Sequence, residues 1–277
     1  MAGFVACRDE KNLTMIAEKF FWDTPLWALS LLMFLMMAAA RELGVWVRRR
    51  AGAARAGSSG NENYILSAVL GLLALLVAFS FGMALDRYEA RCKLVVSEAN
   101  ALSTAWQRTA LLDDAGHLRR LLLDYAGARL DYGLTGGEAQ DAAARQAEQL
   151  QPQIWAEAVR LVEPSRQTPL PAFALTPLGD AFDLAQSRKA ALEAHMPVLV
   201  LGALAIYFIA AAIVLGYASA AVAKRDRVIL LALFALFALV LGVILDLDRP
   251  REGLIPIPQG AMIDTVTVMR AQFAAGG

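Results

Sequence analysis

The chain has 277 residues, 58% of them hydrophobic and 19% charged, and its 26 Lys+Arg balance 26 Asp+Glu to a formal net charge of zero. Soluble domains average about 45–50% apolar and about 25% charged, so an ordinary soluble globule is excluded and lipid is indicated. Zero net charge removes the basic field of a nucleic-acid binder, the apolar content excludes intrinsic disorder, and two cysteines, Cys7 and Cys92, do not make a disulfide framework. A single bridge between them stays open.

Residues 1–24 form a charged N-terminal segment. Asp9, Glu10, Glu18 and Asp23 deprive it of the positive excess of a signal peptide, although Ala38, Ala39 and Ala40 mimic a small-residue cleavage site. A bilayer core of about 30 Å takes about 20 mainly apolar residues as a helix. Four segments qualify: 26–46, 64–85, 197–220 and 228–245. Their backbone has to satisfy its own hydrogen bonds in lipid, and no barrel-like alternation is present, so all four are predicted helices. In the first, Arg41 and Glu42 must snorkel, pair with each other or face protein.

Orientation follows from Lys and Arg in the short loops. Loop 47–63 carries Arg48, Arg49, Arg50 and Arg55, and the loop after span three carries Lys224, Arg225 and Arg227. Both are predicted cytoplasmic. The N-terminus, the segment 86–195 and the C-terminal tail 246–277 then lie on the extracytoplasmic side of a bacterial inner membrane.

Residues 86–195 read as helices. Leu85, Tyr88, Cys92, Val95, Ala99, Leu102 and Trp106 recur at spacings of three and four, so span two is predicted to continue unbroken as a packed helix. A second helix is expected from about His117 to Tyr132. Thr135 and Glu138 have the form of a capping box for a third, interrupted or kinked at Pro152. Thr176 and Pro177 suit the start of a fourth that leads into span three. The fold class is therefore all-α: a polytopic membrane protein with two transmembrane hairpins, 26–85 and 197–245, and an extramembrane antiparallel bundle between them.

Little in the sequence suggests catalysis. His117 and His195 are the only histidines and neither has a companion at ligand spacing, so no metal is expected. Gly133, Gly136 and Gly137 lack the Lys-Ser or Lys-Thr of a phosphate loop and read as a helix–helix turn. No hydrolase elbow, metalloprotease helix or kinase set is present; no catalytic residue and no cofactor are predicted.

The notable polar residues close spans two and four: Asp86, Arg87 and Glu89 after the first, Asp246, Asp248 and Arg249 after the second. Alternating charges that merely stop a helix from sliding into lipid explain them, with Glu89 and Lys93 as an i,i+4 pair. A charged ring at a pore mouth, with the arginines pairing the carboxylates, is the functional reading. Ser67, Gly71, Ala74, Ala78 and Gly82 line one stripe of span two. Such small residues serve intrachain packing, or else self-association or a pore lining. Span three has a weaker counterpart in Gly202, Ala205, Ala212 and Gly216.

Asp86-Arg87-Tyr88-Glu89, Glu98-Ala99-Asn100-Ala101-Leu102, Arg108 to Leu112, and Leu247-Asp248-Arg249-Pro250 with Gly253 resemble the bacterial bestrophin-like (DUF4239) membrane proteins over roughly residues 25–260. Glu98, Asn100, Pro250 and Gly253 carry the motif. Arg251 stands where the family often has an aromatic. The resemblance implies similarity to bestrophins, which are oligomeric anion channels with the pore along the symmetry axis and their large helical part in the cytosol; the loop charges here place that part outside. The sequence thus suggests a self-associating, ion-conducting protein in a lipid bilayer, with a non-conducting scaffold or sensor, whose bundle binds a partner, as the alternative.

Overall fold

A computed structural model describes residues 24–50, 59–219, 224–249 and 253–275. Most of the N-terminal segment with Cys7, Arg55 in the first loop, and Pro250, Arg251 and Glu252 lie outside the described residues, as do the side chains of Lys224 and Arg225. Eight α-helices are described: α1 Leu26–Arg50, α2 Ser59–Arg108, α3 Gly116–Leu134, α4 Gly137–Val162, α5 Leu170–Glu193, α6 Val198–Ala218, α7 Lys224–Asp248 and α8 Gly260–Ala274. No strand is present among the described residues. Among the described residues four helical stretches are long and apolar enough to cross a membrane, and the protein is an all-α membrane protein. The chain divides into two units, residues 1–87 with 195–255 and residues 88–194 with 256–277.

In the first unit α1 packs against α6 and α7. Leu29, Met33 and Met37 of α1, Leu204, Phe208 and Leu215 of α6, and Phe234 and Leu241 of α7 are buried. The approach of α1 to α6 depends on two glycines. A Cβ on Gly44 would lie 2.8 Å from the Tyr217 nitrogen, and one on Gly216 would lie 2.9 Å from Arg41 backbone carbons. The same crossing closes the end of α6, because Arg48 donates to the carbonyls of Tyr217 and Ala218 at 2.8 and 3.2 Å. Those are last-turn carbonyls that the helix itself leaves without partners. Arg41 is buried and donates to Glu42, whose side chain is largely exposed. Of the three options open to this pair, it takes two at once, pairing and facing protein.

The second unit comprises the later turns of α2 with α3, α4, α5 and α8. Val95, Ala99, Leu102 and Trp106 of α2 join Leu118, Leu122 and Tyr125 of α3, Ile154 of α4, Leu178 and Ala181 of α5, and Met262, Val266 and Met269 of α8 in one core. Tyr125 meets Phe182 edge-on at 5.4 Å between ring centroids. Burial pushes the Tyr125 phenol up to about 12, against the lowering field of Arg129. A phenol with a folded pKa above its unfolded value of about 10 stabilises fully below pH 10, and that stability is lost as pH rises through 12. Two units correspond to roughly 2–3 kcal/mol. Alkaline unfolding followed by circular dichroism is therefore expected to show a loss of stability between pH 10 and 12 that Tyr125→Phe removes.

Several helix boundaries differ from the sequence expectation. Thr135 makes no capping box: its hydroxyl donates back to the Asp131 carbonyl of α3 at 2.7 Å, and Gly136 is the N-cap of α4 without a side-chain bond. Pro152 does not interrupt α4. The helix buries Ala143 and Ala147 before it and Ile154, Ala158 and Val162 after it, and that shared face outweighs one missing donor. The fourth helix starts at Leu170, not at Thr176, with Pro171 in its first turn, where the absent N–H is an orphan anyway. The Thr168 hydroxyl accepts the Leu170 N–H at 3.3 Å, while Thr176 donates to the Ala172 carbonyl inside the helix. This helix does not run on into span three; it ends at Glu193, and α6 begins after Pro197. The C-terminal tail contributes a helix, α8, that the sequence reading did not foresee.

Candidate functional site

The small-residue stripe lies in the first unit's stretch of α2. At 3.6 residues per turn, Ser67, Gly71, Ala74, Ala78 and Gly82 fall within an arc of about 80°. Ser67, Gly71, Ala74 and Ala78 are exposed and Gly82 is half-buried. A Cβ added at Gly71 or Gly82 meets nothing within 4 Å. Among the described residues, then, nothing packs closely on the two glycines of the stripe, whereas Gly44 and Gly216 serve close packing at another crossing. Only 11% of the apolar window of α2 is buried within the chain, against 39%, 33% and 28% for the other three spans. In span three, Ala212 and Gly216 are buried and Ala205 is half-buried, while a Cβ on Gly202 meets nothing.

The charges that close spans two and four occupy contrasting surroundings. Asp86 is exposed and Arg87 half-buried, whereas Asp246, Asp248 and Arg249 are buried. The Asp246 carboxylate accepts the Leu254 N–H at 2.6 Å and the Ile255 N–H at 3.1 Å. Gly253 makes room for this turn, since a Cβ there would stand 2.5 Å from Asp246 Oδ1. Asp248 Oδ2 accepts the Met196 N–H at 2.8 Å, and the Asp248 carbonyl lies 3.4 Å from His195 Nδ1. Arg249 Nη1 donates to the Thr24 carbonyl at 2.7 Å. These three side chains hold backbone groups of the segments that precede α6 and α1 and follow α7.

In the second unit's stretch of α2, Glu89 is exposed and accepts from Lys93 Nζ at 3.2 Å. Asn100 is exposed as well. Glu98 is fully buried and paired twice. Arg129 bonds both its carboxylate oxygens, through Nε and, at 3.2 Å, through Nη2, and Arg188 Nη1 reaches it at 2.8 Å. Arg188 Nη2 donates in turn to Gln259 Oε1 at 2.7 Å. The Tyr132 ring lies beneath both guanidinium groups, 4.7 Å from Arg129 Cζ and 5.8 Å from Arg188 Cζ. Gly133 is closed over by this network, with Gln259 Cδ 2.7 Å from the place of its missing Cβ. Burial opposes the Arg129 charge, but the Glu98 carboxylate more than restores it and holds that guanidinium above its ordinary value. Arg91, also buried, donates to the carbonyls of Ala191 and Ala194 at 3.0 and 2.7 Å and so caps the end of α5. Arg129, Arg188 and Gln259 were missed in the sequence.

Among the described residues no group of three or more His, Cys, Asp or Glu side chains is placed to hold a metal ion. His117 is exposed, and Cys92 carries a free thiol.

No family model matches the chain, and no curated protein matches it. Solved structures do. A singly substituted bacterial bestrophin homolog from Klebsiella pneumoniae superposes with a TM-score of 0.65 at 13% identity, over 91% of this chain and 99% of that one. A second structure of the Klebsiella pneumoniae homolog gives 0.65 at 14% identity, over 89% and 97%. The fold is that of a bacterial bestrophin homolog. At 13–14% identity the likeness is one of fold. In this bestrophin-like fold the outward stripe of α2, with the exposed Asp86 after it in the same unit, is the candidate site.

Proposed function

We propose that the protein is a homo-oligomeric ion channel of the bacterial cytoplasmic membrane, in which α2 of each copy lines a common axis. One observation carries the reading: the least buried of the four spans presents its small residues outward, and among the described residues nothing packs within 4 Å of its two glycines. A span that faced lipid alone would gain nothing from a row of Ser, Gly and Ala, whereas a symmetric ring of such faces brings helices together and leaves room along the axis. Glu89 stands seven residues beyond Gly82, hence within about 20° of its direction on the helix, and Asp86 lies at the edge of that face. Their exposed carboxylates set the field at the mouth and favour cations there. Asp246, Asp248 and Arg249 are assigned a structural part beside it. The narrower DUF4239 membership rests on the Glu98-Ala99-Asn100 and Asp248-Arg249-Pro250 elements. The basic short loops support a topology with both termini and the bundle outside.

The test is the reversal potential across a salt gradient for wild type and for Asp86→Asn/Glu89→Gln. A shift toward equal cation and anion permeability is expected. An unchanged reversal potential in a correctly assembled variant removes both residues from the path.

A further inference from the structure

We infer that the end of α1 is a seat for an anionic phospholipid, with the headgroup phosphate held by Arg49 and Arg50 around Trp46. Met36, Ala39, Leu43, Trp46 and Arg50 follow each other at spacings of three and four, which puts them on one face of α1, and all five are exposed. From Met36 to Trp46 the helix rises about 15 Å, the depth of one leaflet of a bilayer core about 30 Å thick. The strip therefore matches one acyl chain, and its polar end falls at headgroup level.

That end is built from an aromatic and guanidinium groups. Arg50 Cζ stacks 4.2 Å over the Trp46 ring, an arrangement suited to a membrane interface, where the indole is half in lipid. Arg48, the neighbour in sequence, is committed to the carbonyls of Tyr217 and Ala218. Arg49 and Arg50 point elsewhere and are exposed, and Arg227 at the start of α7 is exposed too. Among the described residues no carboxylate lies within ion-pair distance of these three. Glu42, on the flank of the same face, is paired with Arg41. The exposed guanidinium groups of Arg49 and Arg50 at the end of an apolar track are complementary to a phosphodiester carrying net negative charge. A second copy of this chain would bring the same positive charge to the contact and is the less suitable occupant.

Brominated lipids test this on the full-length protein in bilayers, where quenching that is present in wild type and absent in Trp46→Phe reports lipid at Trp46. The expected result is a relative binding constant for brominated phosphatidylglycerol about tenfold above that for brominated phosphatidylcholine. In Arg49→Gln/Arg50→Gln the ratio is expected to fall to about one while phosphatidylcholine still quenches. A wild-type ratio of one overturns the proposal, and so does absence of quenching by either lipid, which would mean that protein covers the face. The wild-type ratio decides the matter even where the variant fails to assemble, and it does not depend on whether the protein conducts.

Discussion

Replacing Glu98 with alanine is expected to destabilise the helical unit by about 3–5 kcal/mol, or about 10–20 °C in thermal midpoint for a unit of this size. The carboxylate is fully buried, and its partners Arg129 and Arg188 have side chains only 5% and 2% exposed. Without it, two guanidinium groups are left in a core from which water is excluded with no carboxylate between them. The cost arises from stranding charge, not from the worth of the pair itself. Exchanging Glu98, Arg129 and Arg188 together for apolar residues of similar volume is therefore expected to recover most of the loss. Thermal unfolding in detergent, followed by circular dichroism, measures both variants; a Glu98→Ala protein that melts like wild type contradicts the buried network.

Gly44→Ala and Gly216→Ala should each cost about 3 kcal/mol through overpacking, the largest effect expected in the membrane-spanning unit. The atoms that a new Cβ would strike are backbone atoms of the facing helix, first the Ile213 carbonyl oxygen for Gly44 and the Arg41 carbonyl oxygen for Gly216, then Tyr217 N and Arg41 C and Cα. Backbone cannot turn aside as a side chain can, so α1 and α6 must separate. Separation also draws Arg48 away from the Tyr217 and Ala218 carbonyls. Gly71→Ala and Gly82→Ala provide the contrast, since nothing lies within 4 Å of either position and alanine favours the helix by about 1 kcal/mol over glycine. These two are expected to leave the stability of the single chain unharmed. The measurement is the thermal midpoint of the single chain, dissociated in detergent and checked to be monomeric, and equal midpoints for Gly44→Ala and Gly71→Ala would refute the assignment of the two glycine classes.

The four spans were legible because a bilayer imposes a length and a composition that survive in any sequence. The unbroken α2 was legible from its recurring apolar seam. Helix starts were less so: Thr135 and Thr176 have the residue types of caps, yet both hydroxyls donate to carbonyls four residues back. The local pattern was right and tertiary packing chose another use for it. α8 left a signal, Met262, Val266 and Met269 at helical spacing, that is easy to pass over in a short amphipathic stretch at the end of a chain. Glu98 drew notice as part of a motif, but its partners lie 31 and 90 residues away, a distance across which no spacing rule operates. The acidic end of span four shows the opposite lesson. Asp246 and Asp248 read as surface charges in the sequence, while in the fold they accept backbone N–H groups of residues 196, 254 and 255. Charge in a sequence signals a need for partners; whether solvent, ions or backbone meets it depends on the fold.

The most direct test of the central claim is current through single channels of purified protein in planar bilayers, with Ala78→Cys placed in a Cys7→Ser/Cys92→Ser background. Discrete currents that a water-soluble thiol reagent blocks in the Ala78→Cys protein, and leaves untouched in the cysteine-free background, are the predicted result. Silence from folded, assembled protein across voltage, or currents that persist while the introduced thiol is fully labelled, would contradict a conducting path along the outward face of α2.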